Sequence, residues 1–314
     1  MNQHVAVVEN ALARGGAARS ALVASWQRSM NLHRLRPEAR TPPHRLGAWE
    51  LARIREPLEP LIDVAQDTLD RLYMAVGGIG CCVLLADPQG IPVERRGAPA
   101  DDRTFEDWGL WTGTVWSEEA EGTNGIGTCL AEERAVTIHR DQHFLTRNTL
   151  LSCTTAPIFD HEGRLAAAID VSSCRWDLTA EFAQLIALSV GEAARRIETD
   201  HFRAVFAQHR ILVTPASDKG PGGLIAVDGD DMVVGATRGA RLARDMSALG
   251  EGRPLPASLA LGQAEEGFDA AERAMLLRAL ARHGGQVSAT ARSLGVSRAT
   301  LHRKLNRHGI RRGA

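Results

Sequence analysis

The stretch Gln286-Val-Ser-Ala-Thr-Ala-Arg-Ser-Leu-Gly295-Val-Ser-Arg-Ala-Thr-Leu-His-Arg-Lys-Leu-Asn-Arg-His-Gly-Ile310 decides how the C-terminal part of the chain is read. Val287, Ala291 and Leu294 recur at i, i+4, i+7 on one helical face, and Leu301 and Leu305 at i, i+4 on a second. Gly295 stands where the chain must turn sharply, because glycine tolerates positive φ. Ser297 is placed to cap the second helix. The other side of that helix carries Arg298, Thr300, His302, Arg303, Lys304 and Arg307. Short helix, turn and basic helix are the parts of a motif that enters a DNA major groove.

Charge agrees. Residues 269–314 hold ten Lys/Arg and two Asp/Glu, whereas the rest of the chain holds 27 and 36. A near-neutral protein therefore carries a basic tail on an acidic body, as an attached nucleic-acid-binding module would. The bland reading is a three-helix bundle with a solvated basic face. Leu276-Leu277-Arg278-Ala279-Leu280, His283-Gly284-Gly285 and Thr300-Leu301-His302-Arg303-Lys304-Leu305 resemble the Fis-type helix-turn-helix that ends many bacterial enhancer-binding activators. Gln286 stands where that family usually has Asn. Glutamine caps a helix less well, so that helix start is expected to rest on Ser288 or on packing. Gln286, Ser297, Arg298, Thr300, His302, Arg303, Lys304 and Arg307 are the expected DNA-binding residues. Arg298, Thr300 and His302 are assigned to base edges and Arg303, Lys304 and Arg307 to phosphates.

With 314 residues and 44% hydrophobic composition, the chain has material for two or three domains. No apolar run approaches the eighteen residues of a membrane span, and no basic-then-apolar leader opens the sequence. A cytoplasmic, nucleoid-associated protein without membrane contact is expected. The five cysteines, Cys81, Cys82, Cys129, Cys153 and Cys174, form no Cys-x-x-Cys pair and read as reduced, mostly buried thiols. The sharper reading makes Cys81-Cys82 or Cys153 a redox or metal sensor.

Residues 1–54 read as an N-terminal helical extension that includes Trp26. Ile54, Leu58, Leu61, Ile62, Ala65, Leu69, Leu72 and Tyr73 form a stripe at helical spacing over Leu51–Val76, with Pro57 and Pro60 suited to a first turn. The period then changes to strands near Cys81–Ala86, on to about Arg96, Ala135–His139, Ser152–Phe159 and Arg164–Ser172. Strands with helices before, between and after predict an antiparallel sheet of α+β type.

Between Phe105 and Asn148 lies a loop-rich segment. Trp108, Trp111 and Trp116 crowd beside Gly122-Thr-Asn-Gly-Ile-Gly-Thr, where Thr123 and Asn124 can cap a helix running to about Glu132. Aromatic faces with a few polar groups make a plausible wall for an organic ligand, although the same residues equally fill a core and start a helix. Trp116-Ser-Glu, the Gly122–Thr128 string, His143-Phe, Asn148, Ala156-Pro-Ile-Phe-Asp160 and Gly163-Arg-Leu together resemble the sensory GAF domain of the acetoin-catabolism activator family. The likeness spans about residues 55–200 and implies reception of a small-molecule or cofactor signal. Trp108, Trp111, Trp116, Thr123, Asn124, Cys129, His143, Phe144 and Cys153 are the expected effector-binding residues. No motif names a cofactor, and His139 and His143 lack the context of a metal site.

Phe182, Ile186, Val190, Ala193 and Ile197 predict a long helix from Leu178 to about His209, with an apolar seam suited to core packing or to pairing two protomers. Residues 211–249 predict a hairpin, Leu224–Val227 and Met232–Val234 about Asp228-Gly-Asp-Asp, then a helix from about Thr237 to Ala248. This segment resembles the start of a PAS module but is too short for a whole one. Residues 250–267 read as a linker containing Glu265-Glu266, and residues 268–314 as the helix-turn-helix domain.

Enhancer-binding relatives carry an ATPase between sensor and helix-turn-helix. Its Gly-x-x-x-x-Gly-Lys-Ser/Thr loop does not occur here, and neither Lys219 nor Lys304 has that context. The expectation is a dimeric, non-enzymatic transcription factor on double-stranded DNA with an inverted-repeat operator. It would bind a small-molecule effector, with RNA polymerase or a full-length related activator as a further partner. The alternatives are an architectural or antagonist DNA-binding protein without a ligand, and a GAF-fold Cys-dependent redox enzyme or sensor.

Overall fold

The computed structural model describes residues 3–262 and 267–310. The chain separates into two compact units, residues 1–255 and 256–314. Glu265-Glu266 of the expected linker and the last four residues of the expected DNA-binding domain lie outside the described residues.

The first unit opens with α1 (Gln3–Ala13) and α2 (Ala21–Gln27), the latter capped by Ser20 and continued by a π-helical turn at Arg28–Leu32. The apolar stripe expected over Leu51–Val76 is divided into α3 (Ala48–Arg55), a 3-10 turn and α4 (Glu59–Val76). Pro57 and Pro60 account for the division, since proline fits a first turn and not an interior.

Five strands follow: β1 (Cys82–Ala86), β2 (Pro92–Arg96), β3 (Val136–His139), β4 (Ser152–Phe159) and β5 (Leu165–Ser173). They form one antiparallel sheet in the order β2-β1-β5-β4-β3. Cys82, Ser172 and Cys153 stand opposite one another across β1, β5 and β4, and Leu84, Asp170 and Thr155 form the next row on that face. The central strands are buried on both faces, which is why their sequence is nearly continuous apolar residues rather than an alternation.

The expected long helix is α8 (Ala180–Val205), capped by Thr179. Its Ile186, Val190, Ala193 and Ile197 pack with Leu61, Ile62, Ala65 and Leu69 of α4 against Val83, Leu85, Ile158, Ile169 and Val171. Phe182 departs from the expected seam. It is 40% exposed and lines a groove with Gly78, Ile79 and Leu178 instead of joining the core. On the opposite sheet face, Cys82, Leu84, Ala86 and Cys153 lie under Phe105, Leu110, Trp116 and Ile126. These come from α5 (Asp102–Asp107), the loop after it and α7 (Gly125–Glu132), with the single-turn α6 (Glu118–Glu121) between.

After α8, three strands rather than two form a small antiparallel sheet: β6 (Arg210–Thr214), β7 (Gly223–Val227) and β8 (Val233–Ala236). The expected turn between the last two is present, with Asp228 Oδ1 accepting from the Asp230 and Met232 amides. The helix expected to run to Ala248 stops early as α9 (Arg238–Ala243), and α10 (Ser247–Gly250) follows. Within the expected linker, residues 257–260 form a further single helical turn, α11 (Ala257–Ala260).

In the second unit, α12 (Phe268–Arg282), α13 (Val287–Ser293) and α14 (Arg298–Arg307) enclose Leu276, Ala291, Leu301 and Leu305. Gly295 has φ +65° between α13 and α14, the conformation its position requires.

One packing constraint in the first unit is sharp. A Cβ on Gly127 would meet the Trp116 carbonyl oxygen at 2.6 Å and the Glu118 amide nitrogen closer still. Both are backbone atoms and neither can swing away. Gly127→Ala is therefore expected to cost about 1–3 kcal/mol, the usual cost of overpacking, read as a lower melting temperature of the first unit. An unchanged melting temperature would show that α7 can shift outward.

Candidate effector site and DNA interface

The Gly122–Thr128 string is a helix start whose polar groups are already engaged. Asn124 is the N-cap of α7: its Oδ1 accepts from the Gly127 amide at 2.9 Å, and its Nδ2 donates to the Trp116 and Gly122 carbonyls at 3.0 and 2.8 Å. Thr123 Oγ1 lies 2.7 Å from Ser25 Oγ and 3.3 Å from Ser29 Oγ, both in the N-terminal extension. Trp116 is buried, with its indole N–H donating to the Gly109 carbonyl at 2.8 Å.

The nine residues expected to line an effector pocket fall only partly together. Trp116 and Cys153, with the partly buried Trp108 and Trp111, pack in the cluster over β1. Phe144 packs with Val8, Trp26 and Leu145 beneath the N-terminal extension. Cys129 packs with Val136, Ile138 and Ala168. His143 is buried; its Nδ1–H donates to the Arg140 carbonyl at 2.9 Å, leaving Nε2 to face the Cys153 thiol at 3.4 Å. Burial pushes this imidazole down to about 4, so it is neutral at pH 7. The physical reason for this distribution is direction. Residues adjacent in the motif point to different sides of α7 and of the sheet, and each side has its own core.

Two features were not anticipated. The first is Glu118, which is 5% exposed and accepts from Arg28 Nε at 2.8 Å and Arg28 Nη2 at 3.0 Å, from Thr128 Oγ1 at 3.2 Å, and from Ser25 Oγ. The second is Asp170, fully buried in the middle of β5. Thr155 Oγ1 donates to its Oδ1 at 2.5 Å and Ser172 Oγ to its Oδ2 at 2.6 Å. Burial raises this carboxyl to about 6, because two hydroxyls offset only part of the desolvation. A lone Asp inside the apolar run Leu165–Ser173 was the signal in the sequence that marked it. Beside this face opens a cavity of about 410 Å³ lined by Asp101, Thr104, Phe105, Cys174, Arg175 and Trp176. Phe105 and Cys174 also belong to the cluster over Cys82, whereas Asp170 and Thr155 are covered by the start of α7, where a Gly125 Cβ would stand 3.0 and 2.6 Å from their oxygens. Burial pushes the Cys82, Cys129 and Cys153 thiols up, away from the thiolate form.

In the second unit, Ser297 Oγ accepts from the Thr300 amide at 3.0 Å and caps α14. Thr300 Oγ1 lies 2.8 Å from the same Ser297 oxygen. Gln286 sits at the N-cap of α13 without a side-chain bond there, and its carbonyl accepts from the Thr290 amide and hydroxyl. Ser288, the expected substitute cap, is exposed and does not fill that role. Arg298 and Arg303 are exposed and His302 is half-buried.

Lys304 and Arg307, expected at phosphates, each carry an ion pair within the unit. Lys304 pairs with Glu272 of α12, and Arg307 Nη2 lies 2.9 Å from Asp269 Oδ1. His308 Nε2 closes the same knot, 2.6 Å from Glu272 Oε2.

A GAF domain model matches residues 60–194, and the model of the Fis family of bacterial regulatory proteins matches residues 268–308. The class is thereby defined: a GAF domain joined in one chain to a Fis-type helix-turn-helix. Among curated proteins, the chain is 33% identical over 251 residues to the acetoin catabolism regulatory protein of Cupriavidus necator, covering 78% of this chain and 37% of that protein. It is 30% identical over 221 residues to the propane 2-monooxygenase operon transcriptional activator MimR of Mycolicibacterium smegmatis, covering 68% and 36%. The chain thus spans little more than a third of the length of these relatives. Among solved structures, the E. coli DhaR(N)–DhaL complex shares the fold with a TM-score of 0.53 at 20% identity, covering 75% of this chain and 88% of that one.

The knot at Glu272 has a pH signature. His308 and Lys304 hold its carboxyl down from its ordinary 4.5 to about 2. A depressed carboxylate adds stability above its unfolded pKa and loses it as pH falls through the folded one. The stability difference between wild type and Glu272→Gln is therefore expected to be full above about pH 4.5 and to close toward pH 2, measured by denaturant titration across that window. A difference independent of pH would refute the assignment.

Proposed function

We propose that this chain is a DNA-binding transcriptional regulator whose GAF domain receives a small organic effector and whose output is the presentation of paired Fis-type helix-turn-helix units to double-stranded DNA. The observation that carries the reading is the capped N-terminal turn of α14. It leaves Arg298 and Arg303 exposed while Lys304 and Arg307 are tied back to α12. Arg298, with Thr300 and His302, addresses base edges. Arg303 addresses phosphate, and Lys304 and Arg307 contribute to the field only as members of ion pairs.

An operator with two half-sites calls for two copies of the chain. Exposed Phe182, Leu185 and Leu188 on the outward side of α8 support pairing there. Residues 195–267 alone separate the two matched regions and hold no phosphate-binding Gly-Lys loop, so the output proceeds without ATP hydrolysis by this chain. RNA polymerase or a related full-length activator is the partner on which such an output would act. Relatives named for acetoin and propane-oxidation operons support a small, weakly polar organic effector. The cavity beside Phe105 and Cys174, with Thr104 and Arg175 in its wall, is the place in the first unit offered to it. The raised thiols of Cys82, Cys129 and Cys153 weigh against a thiolate enzyme. No described helix is long and apolar enough to cross a membrane, in keeping with action at the nucleoid.

One observation favours a second reading, a DNA-binding antagonist without a ligand: the signature residues of the GAF motif are all packed or bonded internally. Operator binding that no small molecule alters would decide for it.

Two variants test the DNA assignment. Arg303→Ala is expected to weaken binding to all sequences alike and to shallow the salt dependence by about one phosphate contact. Arg298→Ala is expected to relax preference at one operator position by about 1–3 kcal/mol. The assignment fails if Arg303→Ala changes sequence preference at constant salt slope. For the dimer, Leu188→Arg is expected to yield a monomer by sedimentation and a marked loss of affinity for a two-half-site operator.

A further inference from the structure

A second cavity, of about 490 Å³, lies within the first unit where the GAF fold meets the β6–β8 sheet. Its wall comes from three places: the turn between β4 and β5 (His161, Glu162, Arg164), the end of α8 (Val205, Phe206), and the β8-to-α10 segment (Val234, Gly235, Arg241, Leu249). Nothing in the effector or DNA assignments uses it.

One cation in this wall is left without a direct ion pair. Glu162 pairs with Arg164, and Asp160 Oδ1 is occupied within the turn by the Glu162 and Arg164 amides. That leaves Arg241. Its Nε–H donates to the Ala236 carbonyl at 2.9 Å, which fixes the plane of the guanidinium, and among the described residues it has no ion pair. Its stem lies along Gly163, where a Cβ would stand 3.1 Å from Arg241 Cδ. Burial disfavours the charged form more than the nearby Glu162 and Asp160 favour it, so the guanidinium has lost water without a carboxylate in direct contact.

A polar valence is also open in the wall. His161 Nδ1 is buried without a hydrogen-bond partner, as is Nδ1 of His201, which lies behind it with ring centroids 5.8 Å apart and does not line the cavity. Phe206, which ends α8, stands between His161 at 5.9 Å and His209 at 5.7 Å. Buried polar atoms without partners are few in folded proteins, and each asks for a water or a ligand. A planar guanidinium sharing a cavity with an unpartnered imidazole is chemistry for an oxoanion, since the fork of N–H donors matches carboxylate and phosphate oxygens.

We propose that this junction cavity is a binding site for a small organic oxoanion, a carboxylate or a phosphate, held by Arg241 with His161 at its side. The ligand bridges the β4–β5 turn and the β8–α9 corner at the point where α8 leaves the GAF fold. Binding therefore favours whichever arrangement of α8 and the small sheet closes the cavity. The site is separate from the cavity beside Phe105 and Cys174, and its test does not depend on that effector or on DNA.

The experiment is isothermal titration of the full chain at constant ionic strength, with sodium succinate in one arm and inorganic phosphate in the other, against chloride. Saturable binding of at least one anion is expected in the wild type. It should weaken at least tenfold in Arg241→Gln and in the cavity-filling Val234→Trp, and stay unchanged in Arg203→Gln, a surface control. Binding by succinate alone would assign the site to carboxylates, and by phosphate alone to phosphates. Circular dichroism melting checks that each variant folds, and if Arg241→Gln does not, Val234→Trp carries the test. No saturable binding of either anion, or binding retained in a folded Arg241→Gln or in Val234→Trp, overturns the proposal.

Discussion

The carboxylate of Glu118 is taken almost wholly out of water at the foot of α7, and much of the first unit is arranged to make that tolerable. Arg28 supplies a two-point ion pair, Ser25 and Thr128 supply hydroxyls, and Arg28 Nη2 also reaches Glu132 at 3.0 Å. Removing one partner from such a pair leaves an uncompensated charge, typically costing about 3–5 kcal/mol. The N-terminal extension is thus part of the GAF fold electrostatically as well as by packing. Trp26, whose indole N–H donates to the Gln142 carbonyl at 2.8 Å, fastens the same helix to the loop after β3. Thr123 of the signature string touches this network through Ser25 and Ser29, so the motif holds the extension as much as it lines any pocket.

That arrangement explains what could and could not be read from residues alone. The helix-turn-helix was legible because its determinants are local: Gly295 turns, Ser297 caps, and Leu301 and Leu305 fall four apart. The strands β1, β4 and β5 were legible because a strand buried on both faces is apolar along its length. Strand β6 was not. Arg210–Thr214 follows directly on a long helix and is only partly buried, so neither period nor turn chemistry announced it. The GAF motif was legible as a string, but not which core each side chain would join, because that depends on the side of α7 and of the sheet. Phe144, Cys129 and Trp116 therefore end in three different clusters. Asp170 escaped because an apolar strand reads as structural, and the one carboxylate inside it was passed over.

The two units also differ in how they use charge. In the first, carboxylates are buried and answered one by one: Glu118 by Arg28, Glu121 by Arg147, Asp170 by hydroxyls. Glu121 and Asp170 are raised by burial, so the interior of the first unit is poised against negative charge. In the second unit the acids are few, and they neutralise the C-terminal half of the basic helix. What remains positive on α14 is concentrated toward its N-terminal turns, the end that such motifs place against base edges.

The ties from Lys304 and Arg307 to α12 bear on how far the DNA-reading part can be treated as a module. A recognition helix is often imagined as a cassette, exchangeable between proteins so long as its own surface residues travel with it. Here α14 is incomplete without Glu272 and Asp269, which lie more than thirty positions upstream and on a different helix. A graft of residues 286–310 onto a foreign first helix would import two cations and an imidazole whose partners stayed behind. The smallest transferable unit is therefore the whole triplet α12–α14. Within it, changes at the start of α14, around Arg298, are the ones free of the Glu272 and Asp269 ties.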